Sequence, residues 1–146
     1  MRLDDDECRR RLGGARHGYL ATAGPDGGPH VVPVTFALVG TRAAPEIVTA
    51  VDHKPKTTTA LRRLRNLVAE PRTSVLADRY DDDWARLWWV RADGVGAVDE
   101  PGPGREAALD ALAARYPQYR DHRPTGPVIR VRVRRWIGWA AGPPDG

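Results

Sequence analysis

This sequence predicts a mostly β fold with accessory helices, an α+β chain built as a small antiparallel barrel of about six strands. Three observations carry that reading. The chain has 146 residues, room for one core and too little for two, so residues 1–146 are expected to form a single domain. Its last long segment, Val128 to Ala140, alternates Ile129, Val131 and Val133 with Arg130, Arg132 and Arg134, the period of a strand with one apolar and one cationic face. Helical spacing interrupts the strand-like segments at a few places instead of separating every pair, which argues against a doubly wound sheet.

The elements follow in order. Asp4 to Glu7 lead a segment whose later turn carries Arg9, Arg10 and Arg11, the charge order a helix dipole prefers, with Cys8, Leu12 and Ala15 on one face and Gly13-Gly14 fraying its end. Gly18 to Ala23 reads as a short strand, Gly24 to Pro29 as a tight turn and His30 to Val39 as one long valine-rich strand. After a second turn, Glu46 to Asp52 is the third strand. Leu61, Leu64, Leu67 and Val68 then recur at helical spacing, giving a helix from about Thr57 to Ala69 that Pro71 stops. Arg72 to Ala77 returns to β character. Leu87 to Val98 is a strand in which Gly94 and Gly96 signal a bulge or a close backbone approach. Arg105 to Tyr116 carries a second helical stripe, Gln118 to Pro127 reads as a loop, and Val128 to Ala140 closes the series, with Arg135-Trp136 breaking its alternation as a bulge does.

Composition narrows the function. A hydrophobic share of 41% with a net charge of +4 excludes full-length disorder and a collagen-like fibre. The lone Cys8 allows neither an intrachain disulfide nor a cysteine-based zinc site. With no cationic and apolar leader and no run of roughly 20 apolar residues, a cytoplasmic protein without a membrane partner is expected. Of 23 Lys and Arg residues only Lys54 and Lys56 are lysine, so 21 are arginine. Codon bias accounts for many of the arginines. The two lysines flank Pro55 between a strand and a helix start opened by Thr57-Thr58-Thr59. Compact ammonium groups, free helix N–H groups and threonine hydroxyls together favour a bound phosphate. The same residues read equally well as an N-capped helix with two solvated lysines.

No catalytic nucleophile or base stands out. His17, His30, His53 and His122 are scattered without metal-ligand spacing, and Ser74 is the only serine. Trp88 and Trp89 are neighbours on a strand and must face opposite sides. One packs in the core; the other covers a second surface, either a subunit interface or a planar ring.

Three stretches taken together, Gly27 to Val34, Ile47 to Lys56 and Asn66 to Val75, resemble the pyridoxamine 5'-phosphate oxidase class of split β-barrels. Asp83 to Arg91, with its Trp88-Trp89 pair, and the Arg/Trp-rich end resemble the deazaflavin branch of that class, the coenzyme F420-dependent oxidoreductases. The resemblance implies an FMN-binding-like split barrel that forms a homodimer with cofactor sites between subunits. It implies that Pro33, Val34 and Thr35 run along the ring, that Thr49 and Ala50 lie on the adjoining strand, and that Lys54, Lys56 and Thr57 meet the phosphate. Where flavin members carry paired Arg-Lys, this chain has Lys-Pro-Lys. Trp88 joins His53 and Tyr80 as a candidate to stack on or polarise an acceptor.

The expected function is hydride transfer between F420 and a small, conjugated acceptor. A deazaflavin carries a phosphodiester and an acidic tail, matching two focused lysines and a diffuse cationic surface. FMN is the alternative cofactor and a non-catalytic flavin or deazaflavin carrier the alternative role. A nucleic-acid binder, suggested by Arg130, Arg132 and Arg134, is disfavoured because Asp4 to Glu7 and Asp81 to Asp83 dilute the charge.

Overall fold

The computed structural model describes residues 1–51 and 58–142, the side chains of 58–61 excepted. In chain order it forms α1 (Asp5–Gly14), β1 (Gly18–Ala23), β2 (Pro29–Val34), β3 (Ala37–Gly40), β4 (Pro45–Ala50), α2 (Thr58–Ala69), β5 (Arg72–Arg79), β6 (Trp88–Val98), α3 (Pro103–Arg115), α4 (Pro117–Asp121) and β7 (Val128–Ala140). A single 3-10 turn, Trp84–Arg86, precedes β6. The strands make one antiparallel seven-stranded sheet in the order β2-β1-β5-β6-β7-β4-β3. Its two edges do not pair, so the sheet is curled but not closed.

Two expectations are corrected. The long strand from His30 to Val39 is two strands on opposite edges of the sheet, broken at Thr35-Phe36. Side chains from distant segments take the backbone groups of that break, as described below, so the ladder cannot run through it. The expected loop from Gln118 onward begins inside α4, which has Pro117 at its first turn, where the missing N–H costs nothing.

Alternation sorts each strand into two faces. The concave face holds Leu20, Val34, Phe36, Ile47, Val75, Val90, Ala92, Ile129 and Val131 around one core, closed by Leu3, Cys8 and Leu12 from the α1 region and by Leu64 and Leu67 from α2. Asp4 caps α1, its carboxylate accepting the Glu7 N–H at 2.8 Å. On the opposite face α3 seats Ala108, Leu109 and Leu112 against Val48, Ala50 and Val128. α3 covers only the β3-β4-β7 end. Burying a large aliphatic side chain contributes about 1.5–3 kcal/mol, so these two clusters account for most of the drive to fold.

The β6–β7 pairing shifts register between Asp93 and Gly94: Asp93 lies opposite Arg135 and Gly94 opposite Val133, leaving Arg134 unpaired. This is the bulge expected near Arg135. A Cβ on Gly94 would sit 2.2 Å from the Arg132 carbonyl oxygen, and one on Gly96 2.9 Å from Leu67 Cδ2, so both glycines answer a close approach. No helix among the described residues is long and apolar enough to cross a membrane.

Candidate functional site

The convex face of β2, β1, β5, β6 and the C-terminal half of β7 carries no helix. Register aligns its side chains in rows. One row runs Pro33, Tyr19, Leu76, Arg91 and Ile137; the next runs Val31, Ala21, Ser74, Asp93 and Arg135. Asp78, Trp89 and Trp139 form a third. Val31 is 60% exposed and Trp139 40%, an unusual outlay of large apolar groups for a bare surface.

Two hollows share this face and meet at Arg91. The first, of about 890 Å³, is lined by Arg72, Ser74, Arg91, Asp93 and Arg134 over the small side chains of Ala21 and Ala23. The second, of about 660 Å³, is aromatic, with Tyr80, Trp89 and Trp139 beside Leu76 and Leu87. At the centre Asp93 accepts from Ser74 Oγ at 2.7 Å, Arg91 Nε at 2.7 Å and Arg135 Nη2 at 3.1 Å. Burial by itself would push the Asp93 carboxyl up, but the hydrogen bonds from Arg91, Ser74 and Arg135 outweigh it and hold the group below its ordinary value. The same bond raises the Arg91 guanidinium. Arg134, the bulge residue, makes no hydrogen bond or ion pair among the described residues and leaves the hollow with surplus positive charge.

Thr35 and Phe36 carry the chain from one sheet edge to the other, and their backbone groups are met from outside the ladder. Thr49 Oγ1 donates to the Thr35 carbonyl at 2.6 Å. The Phe36 N–H donates to Tyr116 Oη at 3.2 Å, and the Phe36 carbonyl accepts from Arg115 Nη1 at 2.9 Å. Thr35 Oγ1 and Tyr119 Oη are 2.6 Å apart. Arg115 also donates to the Ala15 carbonyl and lies over the Phe36 ring at 4.9 Å.

The sequence-predicted residues separate on this frame. Pro33 lies on the open convex face, at its β2 edge. The side chains of Val34, Thr49 and Ala50 are buried, so only their backbone can meet a ligand. Thr35 stands half-buried at the crossover, held by Tyr119. Lys54, Lys56 and Thr57, with His53, lie outside the described residues. Trp88 packs on the concave core, with the Arg11 guanidinium 5.5 Å from its ring centroid, while Trp89 faces the open side, as their adjacency requires. The Asp93 centre and the Tyr116 and Tyr119 hydroxyls were not singled out from the sequence. The two tyrosines lie three apart where α3 meets α4, a spacing that could have marked a shared face. His30 points inward with its Nδ1 buried and unpartnered, and burial, then Arg62 and Arg63, lowers its affinity for a proton.

The family model described as "Pyridoxamine 5'-phosphate oxidase" matches residues 4–140. No curated protein matches. Among solved structures, the chain is similar to a conserved protein of unknown function from Corynebacterium diphtheriae, with TM-score 0.71, 20% identity and 96% of each chain covered. It is also similar to a FAD-binding protein from Mesorhizobium loti, with TM-score 0.68, 22% identity and 94% and 95% of the two chains covered. A third is the heme storage protein HutZ from Vibrio cholerae, with TM-score 0.65, 15% identity and 96% and 95% covered. At these identities the likeness is one of fold.

Proposed function

The chain belongs to the pyridoxamine 5'-phosphate oxidase family, and from that premise we propose that it is a homodimeric oxidoreductase that uses coenzyme F420 to pass hydride to a small conjugated acceptor. The observation that carries this reading is the uncovered convex face, where a cationic hollow adjoins an aromatic one at Arg91 and where Pro33 stands on the edge strand β2 in the same row as Arg91. A planar ring bearing anionic groups matches that pairing of surfaces, and a second copy of the chain would bury Val31, Leu76, Trp89 and Trp139. The residues present therefore fit such a cofactor.

In this reading Lys54 and Lys56 meet the phosphodiester as compact point charges, and the Thr57 hydroxyl completes the contact at the helix start. The backbone of Pro33, Val34 and Thr35 runs along the ring, with the Thr49 hydroxyl bracing it from behind. A reduced deazaflavin, when bound, supplies the hydride. The chain's own task is to hold ring and acceptor face to face and keep water out, which needs no nucleophile.

A flavin nucleotide is the second reading, favoured by the fold likeness to the Mesorhizobium loti FAD-binding protein. Haem is weaker: among the described residues, the side chains lining the two hollows include no His, Cys or Met to act as an axial ligand, and Tyr80 there is exposed. Titrating the protein separately with F420, FMN and haem, followed by fluorescence and absorbance, tests all three. The expected result is saturable F420 binding that is tighter than FMN binding. FMN binding without F420 binding overturns the deazaflavin assignment, and haem binding alone overturns the redox reading. Replacing both Lys54 and Lys56 by Ala is expected to weaken F420 binding and flatten its salt dependence while the dimer stays folded; unchanged affinity would make that loop a helix start and nothing more.

A further inference from the structure

We infer that Tyr119 is a positioning residue for the cofactor ring, acting through the Thr35 hydroxyl; this rests on the reading that Pro33 to Thr35 line the ring. The argument begins with what the crossover needs. Thr35-Phe36 has left one ladder and not yet entered the next, so its backbone groups require partners of another kind. Thr49, Tyr116 and Arg115 supply them: the Thr35 carbonyl takes Thr49 Oγ1, the Phe36 N–H goes to Tyr116 Oη, and the Phe36 carbonyl takes Arg115 Nη1 and Tyr116 Oη. The single Tyr116 hydroxyl proton is shared between the Phe36 carbonyl at 3.0 Å and the Arg16 carbonyl at 2.8 Å, tying the crossover to the segment that enters β1. These contacts hold the backbone and are structural.

Tyr119 differs from them. Its hydroxyl meets the Thr35 side chain at 2.6 Å and, among the described residues, bonds no backbone group of the crossover. Its ring stands edge-on to Tyr116, with centroids 5.6 Å apart and planes at 75°, so the hydroxyl is delivered from a rigid support. A threonine side chain has few χ1 wells, and a hydrogen bond this short selects one of them. The contact thus sets where the Thr35 hydroxyl and methyl point without being needed to satisfy buried backbone. A bond that orients a side chain in the ring-lining segment, and leaves the fold's own hydrogen bonds intact when removed, acts on the ligand's seat.

The test is a double-mutant cycle on the full-length protein with Tyr119→Phe, Thr35→Val and their combination, and with Thr35→Ser as the conservative variant. Three readouts are taken: F420 affinity by fluorescence, the absorption maximum of bound F420, and the melting temperature of the cofactor-free protein. Loss of one neutral hydrogen bond is expected to raise Kd about fivefold to tenfold in either single variant. The double variant is expected to match the singles, because both remove one and the same bond. Thr35→Ser is expected to restore wild-type affinity and spectrum, with all melting temperatures close to wild type. Multiplying effects in the double variant overturn the inference, since Tyr119 would then act by another route. A lowered melting temperature with unchanged Kd and spectrum overturns it as well, leaving a purely structural bond. Thr35→Val tests the same bond from the other side should Tyr119→Phe fail to fold. A wild-type protein that binds neither F420 nor FMN overturns the functional reading together with this one, whereas wild-type binding with indistinguishable variants overturns this one alone.

Discussion

Two arginine–carboxylate centres lie on the β6–β7 ribbon, and they are built with opposite stoichiometry. Arg130 is one cation among two anions: it donates Nε and Nη2 to Asp99 at 3.0 and 2.8 Å, Nη1 to Glu46 at 3.0 Å and Nη2 to the Gly104 carbonyl at 3.0 Å. Its side chain is 17% exposed beneath the start of α3. Asp93 is one anion among two cations, Arg91 and Arg135, on the face that no helix covers. The first centre directs four of the five guanidinium N–H groups onto the protein's own carboxylates and carbonyl. The second holds a surplus of positive charge facing outward, with Arg134 beside it. The same residue types therefore serve as a rivet at one end of the ribbon and as a prepared surface at the other, and what separates them is whether a helix lies on top.

The largest expected effect tests the rivet. Arg130→Met leaves Asp99 without its cation and Glu46 with only the exposed Arg132 at 3.7 Å, and losing a part-buried guanidinium that makes several charged hydrogen bonds costs about 2–3 kcal/mol. Arg135→Met removes an exposed partner from Asp93, which keeps Arg91 and Ser74, so the loss is at most about 1 kcal/mol. Urea unfolding of the two variants measures both. Equal losses would break the comparison.

Next in size is Gly94→Ala, at the register shift between the centres. Its Cβ would meet the Arg132 carbonyl oxygen at 2.2 Å, backbone that cannot swing aside. A forced overlap of this kind costs about 2 kcal/mol, and relief by slipping the bulge would carry Arg134 and Arg135 away from Asp93. A melting experiment that found Gly94→Ala as stable as the parent would mean the bulge is not what aims these arginines.

The sequence discloses the strands because alternation is local. Gly18 to Ala23 and Val128 to Ala140 match the observed strands end to end, and adjacency alone separates the faces of Trp88 and Trp89. It conceals the break at Thr35-Phe36 for the opposite reason. The run from His30 to Val39 has unbroken β character, and what interrupts it comes from Thr49, Arg115, Tyr116 and Tyr119, up to 84 positions away. The Asp93 centre is hidden likewise, since Ser74 and Arg135 reach it across 19 and 42 positions. The short α4 is masked by a turn-like composition, Pro117-Gln118-Tyr119-Arg120-Asp121. The fold class and the strand character of Pro33 and Val34 are thus legible one residue type at a time, while the end of that strand at Val34 and the convex face emerge only once distant segments are in register.

Asp93→Asn sharpens the contrast at smaller cost. Asparagine keeps one acceptor for Ser74 or Arg91 but no longer offsets two guanidinium groups, so stability is expected to fall by about 1 kcal/mol. The surface then gains positive charge, and F420 binding is expected to become more strongly dependent on salt. A variant whose salt dependence matched the parent would detach the Asp93 centre from the cofactor surface.

The smallest effect concerns a third centre of the same one-anion kind. Glu7 on α1 accepts from Arg10 at 2.5 Å and from Arg11 at 2.8 Å. The Arg10 hydrogen bond first, against the opposing effect of burial, and then the Arg11 bond bring its pKa from 4.5 to about 2. A carboxyl lowered in the folded state contributes stability that is fully present above its unfolded value of about 4.5 and is lost as pH falls through about 2. Asp93, lowered as well, adds a contribution of the same sign. Because Arg10 is 61% exposed, solvent and salt screen the Glu7 share, so the expected change is small. Melting curves of the parent, Glu7→Gln and Asp93→Asn between pH 5 and about 2 separate the two carboxyls. Each variant is expected to lose less stability over that range than the parent, and added salt is expected to erase more of the Glu7 difference than of the Asp93 difference, because the Asp93 carboxylate is also held by Ser74. The reverse order under salt would mean that the open convex face screens its charges as freely as an isolated helix surface does, and the Asp93 centre would lose its claim to be a prepared site.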